Sequence, residues 1–186
     1  MSILETIFSA QGDRVVRELA DQHHIDREQA LAVLARVVPN LSRAVQRNVQ
    51  DGDGLQSLLD ALQRGGHERY LDEPQRLREP QAVQEGNGIL GHLLGSKDAS
   101  RSLAGQVAEE IGLDSGIVKK ILPVAAALLM GALGRQQRSG QLGEVNQLLG
   151  SGRQGSAMQL IGAFLDRDQD GSVVDDVMAM AMRFLR

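Results

Sequence analysis

The stretch LDSGIVKKILPVAAALLMGALG, residues 113–134, decides the fold class. Its apolar run, Ile121 to Leu133, is about half to two-thirds of a membrane span and contains Pro123, so it reads as a buried helix. Asp114 is placed to start that helix and Gly134 to end it. Upstream, Ser96 or Asp98 can cap a helix whose Leu103, Ala104, Val107, Ala108 and Ile111 share one face. Ala104, Ala108, Ala127 and Gly131 are small enough to let helices approach closely. Leu122→Asp or Leu129→Asp should therefore prevent folding.

The same periodicity runs through the N-terminal half. Asp13 could cap a helix carrying Val15, Val16, Leu19 and Ala20. Asp26, with Gln29 three residues later, has the spacing of a capping box. The helix that follows holds Ala30, Leu31, Val33, Leu34 and Val37, with a break or kink expected at Pro39. An amphipathic piece, Leu55 to Leu62, stops at Gly65 and Gly66. No sustained alternation argues for strands. Setting Ile25-Asp26 over Leu113-Asp114, an offset of 88, also aligns Leu19-Ala20 with Val107-Ala108. Pro39 and Pro123 align only if one helical turn is dropped.

The expected architecture is all-α: a multihelical bundle of two similar three- to four-helix units around an aliphatic core. Residues 1–66 form the first unit, 67–85 a polar connector in which short helices can lie, and 86–150 the second unit. Residues 151–186 form a helix, acidic loop and helix. Only 2% of the 186 residues are aromatic (three Phe and one Tyr) while 42% are hydrophobic, so the core must be aliphatic. That shortage argues against base-stacking platforms and ammonium cages. Twenty Lys and Arg against 24 Asp and Glu give a net charge of −4, with no footprint for nonspecific nucleic-acid binding. With no Cys, thiol catalysis and disulfides are excluded. The N-terminal residues lack the pattern of a signal peptide, so a soluble cytoplasmic protein is expected.

The sharpest local chemistry is Asp166-Arg-Asp-Gln-Asp-Gly171. Carboxylates at Asp166, Asp168 and Asp170, with a glycine next, are the first half of a Ca²⁺ loop, and Ser172 would ligate through its carbonyl. Val177 stands where the bidentate glutamate belongs, and Val174 where a water-mediated ligand often sits. Asp175 or Asp176 supplies an oxygen only if the loop is shortened or its exiting helix begins differently. The other reading is an acidic turn that caps the last helix.

A second pattern occurs twice. Ala108, Gly112, Val118 and Ile121 have helix-turn-helix spacing, as do Ala20, His24, Ala30 and Val33. This supports either a DNA-binding corner or simple tri-helical packing. Gly86-Asn-Gly88-Ile-Leu-Gly91 spells a dinucleotide fingerprint, but no strand precedes it, so close helix contacts and turns are expected instead. His23, His24, His67 and His92 have no metal-ligand spacing.

The segment GNGILGHLLGSKDASRSLAGQVAEEIGLDSGIVKKILPVAAALLMGALG, residues 86–134, resembles the YidB-like family of bacterial domains of unknown function, number 937. HHIDREQALAVLARVVPNLSRAV and GLQSLLDALQRGGHERYLDEP are similar to the upstream part of its longer members. The resemblance implies an all-helical bacterial protein and carries over no catalytic residue. The expected function is a non-enzymatic protein-interaction or assembly module with a weak Ca²⁺ loop, self-associating or binding an unidentified protein. No cofactor other than Ca²⁺ and no membrane insertion are expected. A helix-turn-helix DNA-binding regulator is the alternative.

Overall fold

A computed structural model describes residues 6–8, 12–50 and 52–138. Its helices are α1 (Gly12–His23), α2 (Arg27–Asn48), α3 (Gly52–Gly65), α4 (Arg69–Asp72), α5 (Pro80–Leu94), α6 (Lys97–Ile111) and α7 (Ser115–Arg138), with a 3-10 turn at Pro74–Arg78 between α4 and α5. No strand occurs among the described residues, so the fold is all-α.

The stretch that decided the reading is the hub of the bundle. Every residue from Ile121 to Gly134 is buried, and α7 touches each of the other helices, most extensively α5, α6 and α2. By length and composition α7 could cross a membrane, yet 78% of its apolar window is buried against the rest of the fold. Burying Ile121, Leu122, Leu128 and Leu129, each 2% exposed or less, contributes about 1.5–3 kcal/mol per side chain. Around them lie Val33, Leu34, Val37 and Leu41 from α2, with Val15 and Leu19 from α1. Among the described residues the core is aliphatic apart from Phe8 and Tyr70.

Close approach is written into two glycines. A Cβ on Gly131 would lie 2.7 Å from the His67 carbonyl oxygen, and one on Gly86 would strike the Pro123 carbonyl. Gly86 therefore lets α5 lie directly against α7. Pro123 itself costs α7 a backbone donor but does not interrupt it.

Pro39 does not break α2 as the sequence suggested, since the helix continues from Arg27 to Asn48. The donor missing at Pro39 is the one that would reach the Ala35 carbonyl; one residue along, the Asn40 side chain donates to the Arg36 carbonyl at 2.7 Å. Asn48 ties the end of α2 to the end of α5 by donating to the Ala44 carbonyl at 2.9 Å and the Leu93 carbonyl at 3.1 Å. Of the two candidate caps for α6, Ser96 takes the role, its hydroxyl accepting from Ala99 N–H at 3.1 Å. Asp13 lies inside the first turn of α1, where it pairs with Arg17 and Arg27.

The segment expected as a connector is part of the core. Residues 66–79 form a strap that buries Tyr70, Leu71, Pro74 and Leu77, and the segment beyond it, from Pro80, is already α5. The expected edge at residue 86 thus falls inside a helix. The strap is polar because its charged side chains form ion pairs: outward Arg78 with Glu18 of α1 and Asp72 with Arg135 of α7, and buried Glu68 with Arg138 of α7.

Candidate functional site: a carboxylate clasp and two matching corners

The densest chemistry among the described residues lies where the strap meets α5. Glu85 sits on the inner side of α5, one residue before Gly86, and its carboxylate is 23% exposed. Arg69 Nη2 donates to both its oxygens, at 2.5 and 2.7 Å. The Tyr70 hydroxyl donates to Oε2 at 2.9 Å, and Gln81 Nε2, one turn earlier on α5, donates to Oε1 at 2.8 Å. The other arm of Arg69, Nη1, donates to the carbonyls of Gly65 and Gly66 at 3.0 and 3.2 Å. It thereby closes the C-terminal end of α3, a good place for a cation. Its guanidinium carbon also lies 4.7 Å from the Tyr70 ring centroid.

His67 completes the cluster from the turn after α3. Its ring stacks on Tyr70 at 6.3 Å between centroids. Nδ1 lies 3.1 Å from Glu85 Oε2, but off the direction of a hydrogen bond, so the contact is electrostatic. Burial pushes the His67 imidazole below its ordinary value; Glu85 opposes that shift and Arg69 adds to it. Burial alone would raise the Glu85 carboxyl. Hydrogen bonds from Tyr70 and Gln81, with the charges of Arg69 and His67, bring it below the usual range instead. The same clasp raises the Tyr70 hydroxyl, chiefly through burial. Each strong donor is spent on Glu85 or on a backbone carbonyl, so the arrangement fastens elements together.

Sequence reasoning noticed Tyr70 and His67 singly and passed over Arg69 and Glu85. The legible signal was the run of apolar positions Tyr70, Leu71, Pro74 and Leu77 inside a polar segment, at the spacing of a short helix against a core.

The two helix-turn-helix spacings are real corners. At the first, His24 takes a left-handed φ of 53° and Ile25 N–H reaches the Ala20 carbonyl at 3.1 Å. At the second, Gly112 has φ 68° and Leu113 N–H reaches the Ala108 carbonyl at 2.9 Å. Asp26 and Asp114 then open α2 and α7. Asp26 N–H donates to Gln29 Oε1 at 3.0 Å, which is the Gln29 half of the expected capping box, while Asp114 Oδ1 accepts from Gly116 N–H at 2.8 Å. The corners lie near each other: His23 is held below its ordinary value by burial, then by the charges of Lys120 and His24. Lys119 and Lys120 are exposed.

In the segment spelling a dinucleotide fingerprint, Gly86, Gly88 and Gly91 all lie within α5. Only Gly86 serves a close contact. Gly88 and Gly91 are exposed, with no described residue within 4 Å of where a Cβ would be. Among the described residues no three His, Asp or Glu side chains come together as a metal centre requires. The acidic loop, with Asp166, Asp168, Asp170, Ser172 and Asp176, lies outside the described residues, as do the helices expected after residue 138.

No curated protein and no solved structure gives a match to the chain. Residues 5–136, covering the strap, both corners and all of α5 and α6, match the family model described as bacterial protein of unknown function (DUF937). A match over that share of the sequence assigns membership, and the chain belongs to this bacterial family of unknown function.

Proposed function

We propose that the protein is a non-enzymatic interaction or assembly module whose contact surface is the outward face of α5. One observation carries this reading. Gly88 and Gly91 lie on the exposed side of α5, Gly91 in its last turn, with no described residue within 4 Å of where a Cβ would be, while Ile89, Leu93 and Leu94 on the same helix are only partly covered. A mid-helix glycine costs about 0.5–1 kcal/mol relative to alanine. Among the described residues no packing repays that cost at these two positions. A surface that lets another backbone come close, flanked by aliphatic side chains, fits a second helix.

Sedimentation of the wild-type chain over a range of concentrations tests the reading, alongside Gly91→Arg and the double variant Gly88→Ala/Gly91→Ala. The double variant should be more stable to heat, by about 1 kcal/mol per site, because open space and helix propensity both favour alanine. Gly91→Arg should abolish self-association while leaving the unfolding transition in place. A wild-type chain that stays monomeric at every concentration, with no photo-crosslink from position 91 to a defined protein, overturns the proposal.

A soluble, cytoplasmic setting is proposed with this reading; the burial of α7 in the bundle favours a core helix over a membrane span. The weak Ca²⁺ loop at Asp166–Ser172 with Asp176 remains a proposal beside it, resting on ligand spacing alone. Calorimetric titration that gives no heat at millimolar Ca²⁺, with an unchanged Tm, removes it.

The helix-turn-helix alternative draws on the charge of Lys120, from the second corner, acting on His23 of the first. Against it stands the net charge of −4. A DNA-binding chain would shift a duplex in low salt and lose it steeply as salt is added. The absence of a shift in low salt rejects this alternative.

A further inference from the structure

The strap at residues 66–79 is held by packing and by polar contacts to α5 and α7, besides the Arg78–Glu18 pair to α1, and a buried imidazole stands at its start. Leu71 and Leu77 anchor it by packing. Arg69 and Tyr70 hold it to Glu85 of α5, and Glu68 and Asp72 hold it to Arg138 and Arg135 of α7. His67 stands at its start, 10% exposed, where its carbonyl faces Gly131 and its ring edge faces Gly65. The groups around that ring come from every neighbouring element. Glu68, Arg69 and Tyr70 belong to the strap itself, Glu85 with its partner Gln81 to α5, and Arg138, through Glu68, to α7; α3 contributes only the Gly65 backbone.

We propose that the strap is an acid-sensitive latch, which lets go of α5 and α7 when His67 takes a proton. The reason is the way Glu85 is already committed. Its oxygens accept from Arg69 twice, from Tyr70 and from Gln81, and the His67 Nδ1 beside them has no hydrogen-bond partner. A new imidazolium would need an acceptor of its own. It can take one only by displacing Arg69 or Tyr70 from Glu85, or by turning out to water. Either movement unfastens the turn at residues 66–70 and uncovers the side of α7 that carries Gly131 and Gly134. Glu68 could draw the new charge, but its carboxylate is paired with Arg138.

The linkage has one sign. Burial, with Arg69, holds the His67 imidazole below its ordinary value, so the open strap binds the proton more tightly than the closed one. The closed form is complete above about pH 6.5 and gives way as pH falls below it. Glu85, also held below its usual range, stays ionised through the upper part of that window, so His67 responds first.

Hydrogen exchange on the full chain at pH 7.5 and pH 5, corrected for the intrinsic pH dependence, tests the latch in the wild type and in His67→Gln. The expected result is a several-fold loss of protection confined to amides of residues 67–78 in the wild type at pH 5, with α7 unchanged, and no such loss in His67→Gln. Equal loss in both proteins, or none in either, overturns the proposal. If His67→Gln fails to fold, the imidazole is followed by NMR titration of the wild type instead. Titration of His67 below free histidine, with strap resonances shifting in step, supports the latch; titration at or above free histidine overturns it.

Discussion

The corners at Ala20–Asp26 and Ala108–Asp114 make the same turn with different residues. Both end a helix with a left-handed residue, both close with a hydrogen bond from the next residue to an alanine carbonyl, and both enter the following helix through aspartate. At the offset of 88 the buried positions also correspond: Val16 with Ala104, Leu19 with Val107, Ala20 with Ala108, Ala30 with Val118, Val33 with Ile121 and Leu34 with Leu122. They differ where the chain turns. The first corner carries His23 and His24, and the second carries Ile111 and Gly112. The backbone geometry is thus set by caps and apolar spacing, and the turn residues are free to carry strain or charge. The first corner carries strain at His24 and a titratable imidazole at His23.

The comparison breaks most completely in the core. Leu34→Asp and Leu122→Asp place a carboxylate at equivalent sites that are 0% and 2% exposed, and Leu129→Asp does so deeper in α7. Each should abolish the cooperative unfolding transition, since the cost of an unpaired buried charge exceeds the whole stability of a small domain. If Leu34→Asp melts like the wild type while Leu122→Asp does not fold, the two corners are not equivalent supports.

At the turns the effects are smaller and of opposite sign. Gly112→Ala forces a side chain into a left-handed backbone, and a loss of about 1–2 kcal/mol is expected by chemical denaturation. His24→Gly relieves the same strain, less about 0.5–1 kcal/mol for glycine's greater freedom when unfolded. A gain of about 0.5–1 kcal/mol should remain. A loss on His24→Gly would mean that the His24 side chain holds the corner together.

The smallest effect separates the corners by pH. His23 is kept neutral in the fold by burial and by Lys120, whereas the unfolded chain takes up the proton near pH 6.5. Stability should therefore fall as pH drops through that value. His23→Ile, which copies residue 111, should reduce the difference in Tm between pH 7.5 and pH 5.5 and leave only the part due to His67. An unchanged difference would show that His23 is already solvated.

Much of this fold was legible in one dimension. The apolar run at 121–133, the caps at Asp26, Ser96 and Asp114, and the turn glycines are local signals, because a capping hydrogen bond or an apolar stripe involves residues three or four apart. Pro39 misled as a helix break, because packing along α2, which buries Val37, Val38 and Leu41, carries the helix through the missing donor. The strap misled for a related reason. Its sequence is polar, but most of its polar side chains face outward into ion pairs while Tyr70, Leu71, Pro74 and Leu77 face in, and a short segment shows no clear period. The clasp was invisible because Arg69 and Glu85 are 16 residues apart, and nothing local says they will meet.

By itself, then, the sequence determined the all-helical class, the aliphatic core, the central place of residues 121–133 and the likeness of the two corners. All of these follow from neighbours along one helix. Only the tertiary structure decided which glycines serve contact and which stand open, that residues 66–79 belong to the core, and that His67, Arg69 and Tyr70 converge on Glu85. The physical reason is that a glycine or a charge takes its meaning from what the fold brings against it, and here that partner comes from a different helix.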